Sequence, residues 1–186
     1  MCRQLHLPLQ SGSNKILKLM GRKYTTKQFE TLVEKARGIS PNIAITSDIL
    51  VGFPGETERD HQETMEIIKK IGFAAGHVFA FSPRPGTGAE ILPNQIPTVN
   101  KKERSREVRE LFSNLTVQYH SKFIGKIAKV LWEQADQQVE GDYLLEGWTD
   151  NYIKVFTRNA KNLHNEISLV KLVEARADRM FGEIYE

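Results

Sequence analysis

The sequence predicts an α/β unit with parallel strands followed by a small antiparallel β-barrel. Three observations carry that expectation. Strand-like and helix-like periods alternate over residues 5–82, the strand-like segments run into polar turns containing glycine, and from Ile124 onward the texture changes to short strands separated by turns.

The first strand is read in LHLPLQSGS, where leucines 5, 7 and 9 alternate with His6, Pro8 and Gln10 and the two-residue period ends near Gln10. Ser11 to Asn14 supply turn chemistry and a helix N-cap, and a short helical stretch follows through Ile16, Leu17 and Met20. Thr25 and Gln28 have capping-box spacing, and Phe29, Leu32, Val33 and Ala36 form an apolar stripe closed by Gly38 and Pro41. An apolar strand from about Ile43 to Val51 then breaks at Gly52-Phe53-Pro54-Gly55. Thr57 and Asp60 open another helix, whose buried face is expected to hold Met65, Ile68 and Ile71, and HVFAFS is a third strand. In parallel sheets ligands collect beyond the carboxyl ends of the strands. Three polar turns are therefore expected on one rim: Gln10 to Ser13, Gly52 to Glu56 and Ser82 to Thr87.

Residues 83–100 hold four prolines and two glycines, and a connection this long is a functional loop, a boundary, or both. A charged helix is expected from Lys101 to Ser121, with Val108, Leu111, Phe112, Leu115 and Tyr119 at helical spacing. Its early basic residues, Lys101, Lys102, Arg104 and Arg106, oppose the helix dipole, so they serve an outside partner or simply form a solvated face. Beyond it IAKVLWE, DYLLEGW, NYIKVFT and EISLVKLV read as the barrel strands. The expected domains are residues 1–121 and 122–186.

Composition narrows the function classes. The chain has 186 residues, a net charge of +3 and one cysteine, Cys2, which excludes an internal disulfide. Its five histidines are scattered, so no zinc or iron-sulfur site of the usual kind is expected. No apolar run approaches the roughly 20 residues of a membrane span and the N-terminus lacks signal-peptide features, so no membrane partner and a cytoplasmic location are expected. Residues 1–121 carry a net +5 and residues 122–186 a net −2, so the tail is not a basic arm. GFPGET lacks a P-loop lysine and any G-x-G-x-x-G. Glu56 alone would be a helix-start carboxylate, whereas Asp48, inside an apolar strand, requires a partner, a ligand or partial exposure.

HLPLQSGSNKILKLMGRKY, TSDILVGFPGETERD, HVFAFSPRPGTGA and GWTDNYIKV, in this order and spacing, resemble the radical S-adenosylmethionine methylthiotransferases, which add a methylthio group to hypermodified adenosines beside the tRNA anticodon. The resemblance covers essentially the whole chain. Within the family, MGRKYTTKQF and FIGKIAKVLWE look closer to the threonylcarbamoyl-adenosine branch. It implies the second half of a partial (βα) TIM-like barrel, from about the fourth strand, followed by an OB-like barrel called TRAM. It also implies two 4Fe-4S clusters in full-length members. Neither cysteine set that binds them is present here, and Cys2 is expected to be an ordinary buried thiol.

The resemblance further implies a partial S-adenosylmethionine pocket. Gln10, Ser11 and Ser13 resemble the turn that approaches the ribose and methionyl end. Ile49 to Glu56, including Gly52, Pro54, Gly55 and Glu56, with Asp48 just before them, resemble the strand and turn against the adenine. Phe79 resembles the following strand, and Arg84 suits a carboxylate or an RNA phosphate. For RNA, with a tRNA anticodon stem-loop as partner, the candidates are Lys126, Lys129, Tyr152, Lys154, Arg158 and Lys161, while Tyr152 and Trp148 as core residues is the competing reading. Two alternatives stand beside the enzyme: a stand-alone RNA-binding module and a ribosomal-protein methylthiotransferase. An open edge at the first strand is expected to promote self-association.

Overall fold

A computed structural model describes residues 2–137 and 141–185. The chain forms two compact units, one of Leu5–Pro41 with Ile45–Leu115 and one of Met1–Gln4, Asn42–Ala44 and Thr116–Glu186. In chain order the elements are β1 (Gln4–His6), α1 (Asn14–Leu19), α2 (Thr26–Ile39), β2 (Ala44–Val51), α3 (Glu58–Ile71), β3 (Ala75–Ala80), α4 (Thr98–Ser121), β4 (Ile127–Gln137), β5 (Tyr143–Thr149), β6 (Lys154–Asn159), β7 (Ile167–Ala175) and β8 (Met180–Ile184).

The α/β unit is built on a three-stranded sheet in the order β1-β2-β3. β2 and β3 run parallel, from Thr46 opposite Ala75 to Val51 opposite Ala80, so both end on one side. β2 is central and its Ile45, Thr46, Ser47, Ile49 and Val51 are buried, as expected of a strand covered on both faces. The first strand is shorter than its alternation predicts. It stops at His6 because Pro8 has no N–H to donate, Leu9 then turns into the core, and Leu5 is left 40% exposed. Gln10 rejoins the sheet through a single parallel bridge to Ile49.

Both expected capping boxes form, at Thr25 with Gln28 and at Thr57 with Asp60. Their buried faces are rotated from those the sequence suggests. In α2 Leu32 is exposed and Glu30 is buried instead, because the Lys70 ammonium from α3 lies 2.8 Å from the Glu30 carboxylate. In α3 Asp60, His61 and Thr64 are buried beside Ile68 and Ile71, and Met65 is half-buried. Helix α4 begins at Thr98, three residues before its charged run, and buries Val108, Phe112 and Leu115 as expected. The Phe112 ring fills the space a side chain at Gly76 would take.

The second unit is a closed barrel in the order β4-β5-β6-β8-β7, with β7 returning to β4. Its pairs are antiparallel except β6 with β8, which is parallel, a correction to the all-antiparallel expectation. Trp132, Val130, Leu145, Val155, Val170, Leu172 and Met180 fill it. β8 is absent from the expected strands because Gly182 occupies an inward position closed by Val170, leaving Met180 as its only buried apolar side chain. Residues 151–153 form a turn rather than the start of a strand: Asn151 donates to the Tyr119 hydroxyl at 3.0 Å and accepts from Thr149 Oγ1 at 2.7 Å. Cys2 is exposed, not buried, since residues 2–4 lie along the surface of this unit.

Candidate functional site

The strand ends of the α/β unit bring together Gln10, the 52–56 turn and Phe81. Gln10 has φ +67°, a left-handed conformation that costs a non-glycine residue about 1–3 kcal/mol and tends to mark functional positions. Both of its backbone groups are held by β2: its N–H donates to Asp48 O at 2.8 Å and its carbonyl accepts from Leu50 at 2.9 Å. Asp48 has the partner its position demands, the His6 imidazole with Nε2 at 3.4 Å.

Ser11 and Ser13 face inward. Ser13 Oγ donates to Asp60 at 2.7 Å, and Ser11 Oγ lies 3.4 Å from Thr64 Oγ1. The turn between them rests directly on α3, where a Cβ on Gly12 would collide with the Thr64 backbone. Burial pushes the Asp60 carboxyl up, but hydrogen bonds from Lys15, Thr57 and Ser13 outweigh it and hold the group well below the usual carboxylate range.

The 52–56 turn is locked from behind. Gly52 has φ +72° and donates its N–H to Glu56 Oε1 at 3.0 Å. Arg104 reaches from α4 to the same oxygen at 2.7 Å, and Lys101 donates to Phe81 O at 3.0 Å while its stem covers Gly52. Burial pushes the Glu56 carboxyl up, against the Gly52 N–H and the Arg104 guanidinium, which pull it down. The basic start of α4 thus divides: Lys101 and the buried Arg104 turn inward, whereas Lys102 and Arg106 stay on the solvated face, Arg106 pairing there with Glu103 and Glu110. Arg104 falls in register with Val108, Phe112 and Leu115, the signal that could have assigned it inward. Pro54 is buried and Gly55, with φ +82°, donates to Asn94 O at 3.0 Å. Phe79 is 52% exposed, and Arg84 is exposed with no acidic partner among the described residues.

On the barrel unit a groove of about 650 Å³ is lined by Lys129, Leu131, Trp148, Tyr152 and Ile167 together with the acidic residues Glu133 and Asp150. Trp148 and Tyr152 stack with centroids 4.7 Å apart and 25° between planes. Lys129 also borders a neighbouring 400 Å³ cavity that includes Lys126 and Phe123. Lys154 sits over Trp148 and pairs with Glu146. Arg158 and Lys161 line neither cavity. Trp132, not Trp148, is the core tryptophan.

Residues 1–68 match the Radical SAM superfamily. Threonylcarbamoyladenosine tRNA methylthiotransferase MtaB of Thermotoga maritima is 39% identical over 99% of this chain, which spans 43% of that protein. The chain belongs to the radical S-adenosylmethionine methylthiotransferase family. A second relative in that family, tRNA-2-methylthio-N(6)-dimethylallyladenosine synthase of Thermoanaerobacter sp. strain X514, is 38% identical over all of the chain, which covers 39% of its length. The chain therefore spans about two-fifths of the relatives it matches. Among solved structures, the radical SAM enzyme coproporphyrinogen III oxidase of Escherichia coli overlays 80% of the chain and 41% of its own with a TM-score of 0.51 at 13% identity, a likeness of fold.

Full-length members imply iron-sulfur clusters, and the described residues do not fit one. No three His, Cys, Asp or Glu side chains gather to hold a metal among them, and the single thiol is exposed. The strand-end rim presents a left-handed glutamine, two left-handed glycines, an exposed phenyl ring and a guanidinium with no acidic partner among the described residues.

Proposed function

We propose that this chain is the part of a tRNA methylthiotransferase that supplies the later strands of a TIM-like half-barrel, with one side of the S-adenosylmethionine pocket, and a TRAM barrel that binds the tRNA anticodon stem-loop. The observation that carries the reading is 38–39% identity, running over essentially the whole chain, to proteins named for two kinds of tRNA methylthiolation. The five-stranded closed barrel with one parallel pair supports the OB-like assignment, and no helix among the described residues is long and apolar enough to cross a membrane. We place the work in the cytoplasm, where tRNA is modified.

S-adenosylmethionine supplies radical chemistry when bound. The residues of this chain would hold and orient it: Gln10 through its amide, the Gly52–Glu56 turn through backbone close to the adenine, Phe79 and its strand along the base edge, and Arg84 on a carboxylate or phosphate. Ser11, Ser13 and Glu56 act one layer back, fixing the turns through α3 and α4. Asp48 acts through His6 on the first strand.

The test is a chimera in which this chain replaces the matching stretch of Bacillus subtilis MtaB, a relative 38% identical over 171 residues. Mass spectrometry of tRNA nucleosides from a strain lacking its own enzyme is expected to show the methylthio group on threonylcarbamoyladenosine. A methylthio group on dimethylallyladenosine would move the chain to the other branch. A folded, cluster-loaded chimera that modifies neither nucleoside would sink the proposal.

A further inference from the structure

The geometry points to the Trp148–Tyr152 groove of the barrel as a site for an unpaired RNA nucleotide, its base stacked on Tyr152 and the flanking phosphates running past Lys129 and Lys126. The inference rests on the reading above that the barrel meets RNA, and it adds which face does so and which form of RNA that face accepts.

Three observations carry it. First, Tyr152 sits at φ +61° on a tight turn, yet its ring is 49% exposed and stacked on Trp148 rather than buried. The turn is over-determined from below by Asn151 and Thr149, so the ring is presented on a rigid mount, as a stacking platform requires. Second, Lys122, Lys126 and Lys129 have no acidic partner among the described residues. Lys122 and Lys126 lie over the rings of Tyr119 and Phe123, at 5.9 and 5.1 Å, and Lys129 is shared by the two cavities, the second of which Lys126 also lines, so Lys129 and Lys126 carry positive charge from the groove into the neighbouring cavity. Third, of the two acids lining the groove, Asp150 is neutralised by Arg3 through bonds of 2.8 and 2.9 Å, leaving Glu133 as the groove's one unpaired carboxylate among the described residues. Cations beside an open aromatic face suit a polyanion carrying flat rings better than an acidic peptide. A duplex keeps its bases stacked on one another, so only an unpaired nucleotide can use the platform.

Salt-dependent binding to this site differs from binding through Lys154, whose charge is met by Glu146. The chain offers two internal reporters. Trp148 borders the groove while Trp132 is fully buried, and the one cysteine, Cys2, lies along the same groove. The purified chain is titrated with a single-stranded RNA heptamer and with a hairpin stem of matching composition, following tryptophan fluorescence and the rate of Cys2 alkylation. Expected are quenching that disappears in Trp148→Phe, slowed alkylation, and at least tenfold tighter binding of the single strand. Tyr152→Ala is expected to weaken that binding about tenfold, Tyr152→Phe to retain it, and Lys129→Ala to lower the salt slope by about 1. Binding that is equal in Tyr152→Ala, with no quenching and unprotected Cys2, would overturn the groove while leaving the methylthiotransferase reading intact. Preference for the hairpin stem, or groove protection by an added second copy of the chain and by no RNA, would overturn it as well.

Discussion

Arg104 shows how one side chain ties a distant helix to the rim. Its guanidinium is buried against Glu56, whose other hydrogen bond comes from Gly52 N–H, so a residue 48 positions along the chain sets the 52–56 turn. A buried pair of this kind is not itself a strong source of stability, but breaking it leaves an uncompensated charge. Arg104→Ala is expected to destabilise the α/β unit by about 3–5 kcal/mol in urea unfolding, and Arg104→Met in combination with Glu56→Gln by much less. If the single variant unfolds at the parent's urea midpoint, the pair does not hold the turn. Asp60 plays the corresponding part for the serine turn, joining Ser13, Lys15 and Thr57. Asp60→Ala is expected to cost about 2–3 kcal/mol, since it removes a helix cap and orphans buried donors at once.

At the scale of elements, the short β1 and the exposed flank of β3 are the two ends of a three-stranded parallel sheet, and such edges pair with whatever strand they meet. Self-association that grows with concentration is expected in sedimentation velocity, and a chain that stays monomeric throughout would show that the edges are blunted. The elements that could be read from the sequence are those whose signals are local: both capping boxes, the apolar run of β2 and the stripe of α4. Those misread depend on partners that sequence spacing does not reveal. Leu32 gave way to Glu30 because of Lys70 on another helix, and β8 is a strand because Gly182 leaves room for Val170. The same holds for the candidate site. The glycine-containing turns were legible, but the inward engagement of Ser11, Ser13 and Glu56 was not, because each depends on a helix more than forty residues away.

Across the whole molecule, the two units answer to pH in different ranges. In the barrel unit His120 is 5% exposed, and burial pushes its imidazole below the ordinary value, against the Arg176 carbonyl that accepts its Nδ1–H at 2.8 Å and against Asp178. The unfolded chain then takes up a proton near pH 6.5 that the folded unit resists, so the barrel loses stability as pH falls through about 6.5. In the α/β unit the carboxyl of Asp60 is lowered, so its contribution is complete above about pH 4 and is lost only below that. The raised carboxyl of Glu56 works in the opposite sense, favouring the folded unit slightly as pH falls toward the carboxylate range. Between pH 6.5 and 4.5 the proton uptake opposed at His120 weakens the barrel, while the Asp60 contribution to the α/β unit is retained. Both tryptophans lie in the barrel, so their fluorescence follows that unit, while hydrogen exchange at α3 and β2 follows the other. Moving from pH 7.5 to 5.0 is expected to lower the urea midpoint seen by fluorescence and leave protection of α3 unchanged, with His120→Gln removing the difference. Parallel loss of both signals would mean that the units unfold as one and that their stabilities cannot be assigned separately.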